Sequence, residues 1–199
     1  MIRYAALGDS YTIGEAVEEE ERWPNLMVEH LKEAGVQIKI VANPSVTGWT
    51  TRDLIEKELP VYKASDPHFA TLLIGVNDWV QGFTKDQFRE NMVYIMDEML
   101  KDLSSNNQLV IVTIPDFGAT PEGPKYGKGR DISAGLAAFN VIITEEADRR
   151  DLSVVDIFEV SQGMKDDPEL VGPDGLHPSA KEYALWEELI LPVVKEKLI

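Results

Sequence analysis

The chain has 199 residues, 44% of them apolar, enough for one domain with a sizeable core and too few for a second of ordinary size. Its 35 Asp and Glu against 19 Lys and Arg give a formal net charge of −16 and leave no basic stripe, which disfavours nucleic acid and acidic membrane surfaces as partners. It contains no cysteine, so disulfides, thiol catalysis and cysteine metal sites are excluded.

The first apolar run, Ile2 to Leu7, predicts a strand. It is too short and too soon interrupted by Gly8-Asp9 for a signal-peptide core, and no apolar stretch approaches the ~18 residues of a membrane span. As it stands the chain reads as cytoplasmic, without stable membrane insertion. Gly8-Asp9-Ser10 follows the run at once. Alone, this tripeptide is an ordinary βα turn whose Asp or Ser caps the next helix. Thr12 stands where a Gly-x-Ser-x-Gly elbow would carry its second glycine, which disfavours an ordinary α/β-hydrolase. The acidic run Glu18 to Glu21 reads as a solvated face.

Further along, Val36 to Ala42 predicts a second strand with Thr47-Gly48 beyond it, and Phe69 to Ile74 a third, followed by Gly75-Val76-Asn77-Asp78. Phe88, Met92, Ile95 and Met99 recur at helical spacing before the fourth run, Leu109 to Ile114. Residues 115 to 130 carry three prolines and four glycines and predict a long loop over the site. A second helical stripe, Ile132, Leu136, Phe139 and Ile143, precedes the fifth strand at Val154-Val155. After Asp174-Gly-Leu-His177-Pro178 comes a last stripe of Tyr183, Trp186, Leu189, Ile190 and Val193.

Continuous apolar strands joined by helical crossovers predict about five parallel strands covered on both faces, a three-layer α/β/α sandwich. Ligands in such sheets sit outside the carboxyl ends of the strands, where the polar segments converge. Ser10 could serve as a nucleophile if a neutral imidazole took its proton, and Asp174, three residues from His177, could orient that ring within one tight turn. Gly48, with an unobstructed backbone N–H, and Asn77, with a carboxamide N–H, could join the Ser10 N–H in holding an oxyanion. Each has a plainer reading: a positive-φ turn for Gly48, a turn-forming Asn for Asn77, and a helix-starting Pro178 beside an exposed His177.

Taken in order, Gly8-Asp9-Ser10, Asn43 to Thr50 around Gly48, Gly75-Val-Asn77-Asp78 and Asp174-Gly-Leu-His177-Pro178 resemble the four signature blocks of the SGNH (GDSL-type) esterases and lipases, spanning residues 8 to 178. The resemblance implies a flavodoxin-like sandwich that needs neither metal nor organic cofactor. It assigns Ser10 as nucleophile, His177 as base, Asp174 as its orienting partner, and Ser10, Gly48 and Asn77 as oxyanion hole. One departure is Tyr11, where the pattern often carries Leu. The implied activity is hydrolysis of small-molecule carboxylic esters through an acyl-enzyme: short- to medium-chain acyl esters, lysophospholipids or thioesters, or alternatively acetylated carbohydrates.

Asp9 reads as structural, accepting backbone N–H bonds in its turn, and Asp78 as a brace for Asn77. His30 and His68 have no partners at metal spacing, and no metal site is expected. Trp49, Trp79, Phe83, Phe117 and Tyr126 fall in the loops around Ser10, where they either line a substrate pocket or pack beneath the loops. A non-catalytic flavodoxin-like module that binds a small anion would leave the joint presence of Asp174, His177, Gly48 and Asn77 unexplained.

Overall fold

A computed structural model describes residues Met1–Ile199. Each predicted apolar run is a strand: β1 (Ile2–Gly8), β2 (Ile38–Ala42), β3 (Phe69–Leu73), β4 (Leu109–Val112) and β5 (Ser153–Val155). They form one parallel sheet in the order β2-β1-β3-β4-β5. The central strands β3 and β4 are buried along their whole length and β1 from Tyr4 onward. Strands covered on both faces lose the alternation of a half-exposed sheet, which is why they read as unbroken apolar runs. The polar member of β3, Thr71, is satisfied by the Tyr4 hydroxyl at 2.6 Å.

One turn, α1 (Ser10–Ile13), follows β1, and α2 (Trp23–Glu33) returns the chain to β2. The next crossover is a continuous helical segment in three pieces: α3 (Thr51–Asp53), a π-helical turn (Leu54–Glu58) and α4 (Leu59–Ala64). Then come α5 (Val76–Gln81) and α6 (Lys85–Lys101) before β4, and α7 (Pro124–Gly127) and α8 (Ile132–Asp148) before β5. The chain ends with α9 (Phe158–Ser161) and α10 (Ala180–Leu198). α2 packs on α10 in one layer, whereas α3, α4 and α8 pack on α6 in the other, completing the α/β/α sandwich.

The helical stripes do what their spacing predicts. Phe88 of α6 stacks on Phe139 of α8 with ring centroids 4.2 Å apart, and removing such a buried ring typically costs ~3–5 kcal/mol. Thr84 and Gln87 start α6 as a capping box, each side chain bonding the other's backbone N–H at 3.2 and 3.0 Å. In α10 the buried stripe is Tyr183, Trp186, Ile190 and Val194, so the expected Leu189 faces solvent and Val194 takes the core place assigned to Val193. Successive 3.6-residue turns carry the stripe to Val194 rather than its neighbour.

The strand order reverses between β1 and β3: the chain leaves β1 toward β2, then crosses back to β3 on the other flank. Gly8 at the end of β1 is in register with Leu73 at the end of β3. The loops after these two strands therefore open a crevice at the sheet's switch point, and they are the loops that carry Ser10 and Asn77.

Candidate active site

Ser10 opens α1, and the turn before it is shaped by its neighbours. Asp9 caps the helix, its Oδ1 accepting the Tyr11 N–H at 3.0 Å while its carbonyl accepts Thr12 and Ile13 N–H, both at 3.0 Å. At Gly8 any Cβ would lie 2.2 Å from the Leu73 carbonyl oxygen, so only glycine lets β1 and β3 end side by side here. The first amides of a helix have no intrahelical partner, which leaves Ser10 N–H available at the helix's positive end.

Beneath the turn lies a residue that sequence reasoning missed. Glu58, at the end of the π-helical turn, is fully buried, and its Oε2 accepts the Gly8 N–H at 3.0 Å. Neither Glu58 Oε1 nor Asp9 Oδ2 has a hydrogen-bond partner in the protein. Burial pushes the Glu58 carboxyl up to about 8, helped by the Asp9 charge and opposed by the Gly8 bond. Burial likewise pushes Asp9 up to about 8, partly offset by the Tyr11 bond. Two acids under the nucleophile are thus held largely uncharged at neutral pH.

Asn77 sits in the first turn of α5, and its Nδ2 donates to the Trp49 carbonyl at 2.9 Å, joining the Gly48 loop to the loop after β3. Asp78 reinforces that junction. Its Oδ2 accepts Thr51 N–H at 2.9 Å and its Oδ1 the Thr51 hydroxyl, which also accepts from Asn91 at 2.7 Å. Burial pushes Asp78 up to about 6 against these bonds. Gly48 has φ +87° with open space where a side chain would be, so backbone conformation rather than room calls for glycine there.

Opposite these loops, Asp174 and His177 share one tight turn. Asp174 Oδ2 is 2.6 Å from His177 Nδ1, and its Oδ1 accepts the Leu176 and His177 backbone N–H groups, both at 2.9 Å. Partial burial pushes the Asp174 carboxyl up, but the His177 ring and the two backbone bonds outweigh it and hold the group below the usual carboxylate range. An ionised carboxylate accepts only, so Nδ1 carries the proton and Nε2 of the neutral ring keeps its lone pair. The Tyr11 ring packs edge-on against the imidazole, centroids 6.0 Å apart, so the residue that departs from the family pattern props the ring.

Ser10, Asn77 and His177 line one cavity of about 100 Å³, whose walls are Val76, Val80, Phe117, Tyr126 and Leu176. No hydrogen bond joins Ser10 to His177 directly; an open arrangement of this kind is usual before substrate tightens it. Gly48 borders this group through the Asn77–Trp49 bond without lining the cavity. Of the five aromatics expected near Ser10, Phe117 and Tyr126 form the wall and the other three do not. Trp79 lies behind Phe117 with ring centroids 6.0 Å apart, Trp49 takes the Lys57 amine at 4.7 Å, and Phe83 the Arg52 guanidinium at 4.7 Å. Cations on their faces and packing beneath the loops hold these three away from the cavity. A larger open cleft of about 650 Å³, lined by Thr120, Ser133, Gln162 and Lys165 among others, contains neither Ser10 nor His177. No three His, Asp or Glu side chains are grouped so as to hold a metal ion.

Residues 6–185 match the model of the GDSL-like Lipase/Acylhydrolase family. An arylesterase of Vibrio mimicus is 25% identical over 184 residues, covering 92% of this chain and 84% of that protein. The crystal structure of TesA superposes with a TM-score of 0.78 at 20% identity, covering 98% of this chain and 99% of that one. Axe2, an acetylxylan esterase from Geobacillus stearothermophilus, superposes with a TM-score of 0.77 at 16% identity, covering 97% and 94%.

Proposed function

Because the chain belongs to the GDSL-like Lipase/Acylhydrolase family and is a carboxylic ester hydrolase, we propose that it cleaves esters of short acyl chains through an acyl-enzyme on Ser10. The observation that carries this reading is the shared cavity: Ser10 and an Asp174-oriented His177 face a space of about 100 Å³. A cavity of this size suits a small acyl group better than a fatty chain.

In this mechanism Ser10 Oγ attacks the ester carbonyl while His177 Nε2 takes its proton. The imidazolium, steadied by Asp174, then protonates the departing alcohol. Water repeats the sequence on the acyl-enzyme and restores Ser10. The oxyanion of each tetrahedral intermediate falls to the Ser10 N–H and to the Asn77 Nδ2 proton not given to Trp49, the two members of the expected donor set that line the cavity. The Vibrio mimicus relative, named an arylesterase, supports an aryl ester as substrate. An acetylated sugar is the second reading, because the cavity measures the acyl group and leaves the alcohol unconstrained.

The test is a series of p-nitrophenyl esters from acetyl to palmitoyl beside an acetylated sugar, with Ser10→Ala as control. The acetyl and butyryl esters are expected to give the highest kcat/KM, and Ser10→Ala to lose roughly a thousandfold or more. A Ser10→Ala enzyme that still turns over, or rates that climb toward palmitoyl, would refute the reading.

A further inference from the structure

The cavity wall contributed by residues 115–130 has two unequal halves. Its stem is locked into the core. Asn140 of α8 bonds both the N–H and the carbonyl of Ile114, at 2.8 and 2.9 Å, just where β4 gives way to the loop. Asp116 then accepts Gly118 N–H and the Gln162 side chain, each at 3.0 Å, and Phe117 is 2% exposed.

The distal half, which carries Tyr126, has no such foundation. Tyr126 is 43% exposed, and Lys128 and Gly129 just beyond it are both in left-handed backbone, φ +51° and +78°. Besides the edge-on packing of the Tyr126 ring on Phe117, centroids 6.4 Å apart, two polar ties hold this limb. Glu122 N–H donates to the Gly175 carbonyl at 3.0 Å, reaching the Asp174–His177 turn. The other tie is Arg130. Its Nη1 donates to the Trp79 carbonyl at 2.7 Å, its Nη2 to the Val80 carbonyl at 3.1 Å and its Nε to the Gly127 carbonyl at 3.2 Å. Its guanidinium carbon also lies 3.9 Å from the centroid of the Trp79 ring. Three N–H groups of one rigid fork thus bind three carbonyls on two segments, which a lysine ammonium cannot reproduce. Val80 and Tyr126 both line the cavity, and Arg130 joins the backbone of the first to the limb of the second.

We propose that Arg130 is a specificity-determining clamp: by holding the Tyr126 limb against α5 it fixes the width of the acyl cavity and confines the enzyme to short acyl chains. The inference rests on the short-acyl reading above. The clamp touches no reacting atom, so its loss acts on which acyl groups fit.

The experiment measures kcat/KM for p-nitrophenyl acetate, butyrate and octanoate with the wild type, Arg130→Ala, Arg130→Lys, Tyr126→Ala and the Tyr126→Ala/Arg130→Ala pair. The octanoate-to-acetate ratio should rise about tenfold in Arg130→Ala, the scale of small changes in an apolar pocket, through a lower KM for octanoate. Arg130→Lys should move the same way by less. Tyr126→Ala should reproduce the gain, and the double variant should add little to it, since both remove one wall. A folded Arg130→Ala with the wild-type ratio, or effects of the two substitutions that simply add, overturns the clamp while leaving the short-acyl reading in place. If Arg130→Ala does not fold, a wild-type ratio in Arg130→Lys overturns it equally. Wild-type enzyme that prefers octanoate overturns the short-acyl reading instead.

Discussion

Glu58 is a carboxylic acid placed where an uncharged group is required, and its behaviour with pH follows from that. Its folded pKa of about 8 lies above the ordinary value of 4.5, so between those values the unfolded chain has released a proton that the native protein retains. Stability then falls as pH rises, from no penalty below pH 4 to a plateau beyond pH 8. At pH 7 the difference is ~3 kcal/mol from this group, at 1.36 kcal/mol per pKa unit. Glu58→Gln keeps an oxygen for the Gly8 N–H and has no proton to lose. It should match the wild type in Tm at pH 4 and exceed it increasingly toward pH 8; a difference that stays constant with pH would show that the native acid is ionised. The grouping of Ser10 with Asp174 and His177 was suggested in the sequence by the turn directly after the first apolar run and by the three-residue spacing of the Asp and His before the last helical stripe. Glu58 was not, because Glu56-Lys57-Glu58 reads as a solvated helix face, and the π-helical turn that rotates Glu58 inward has no signature in residue type.

Elements were the most legible scale where burial is uniform. All five strands were visible, since a doubly covered strand cannot carry polar residues except at a satisfied position such as Thr71. The segment from 51 to 64 showed no clear stripe, and its division into α3, a π-helical turn and α4 is set by Pro60 and by contacts with β1 and α6 that no local pattern encodes. Between α2 and α10 the polar edge of the contact is one pair, His30 Nδ1 to Glu187 Oε1 at 2.9 Å. The hydrogen bond that the His30 ring donates to Glu187 raises the His30 pKa above its ordinary 6.5. A raised histidine stabilises the fold fully below the unfolded pKa, and the contribution disappears as pH climbs through the folded value. His30 is 43% exposed at its side chain, so solvent screening limits the pair to ~0.5 kcal/mol. Urea unfolding of His30→Gln should show that loss at pH 5.5 and none at pH 8.5. Equal losses at both would assign His30 a packing role instead.

At the scale of the whole molecule the net charge of −16 acts on every approaching ligand. Many of the cations are already engaged: Arg89, Arg149 and Arg150 converge on the buried Glu146, and Lys63 and Lys101 on Glu98. No Lys or Arg lines the cavity that holds Ser10 and His177, while the ionised Asp174 stands beside it. The protein's overall negative charge therefore attracts cationic esters, leaves uncharged ones unaffected and dilutes anionic ones, opposed locally by Lys128 and Arg130 on the Tyr126 limb. Two acetate esters that differ only in a sulfonate on the leaving alcohol present the same acyl group to the cavity, so their ratio isolates this effect. At ~10 mM salt the neutral ester should be favoured by several-fold in kcat/KM. The preference should shrink as salt approaches ~0.3 M, where the Debye length has contracted to roughly a fifth of its low-salt value. Because the acyl cavity and the triad geometry do not respond to ionic strength, a preference that persists unchanged at high salt would place the discrimination in contacts to the alcohol and not in the protein's overall field.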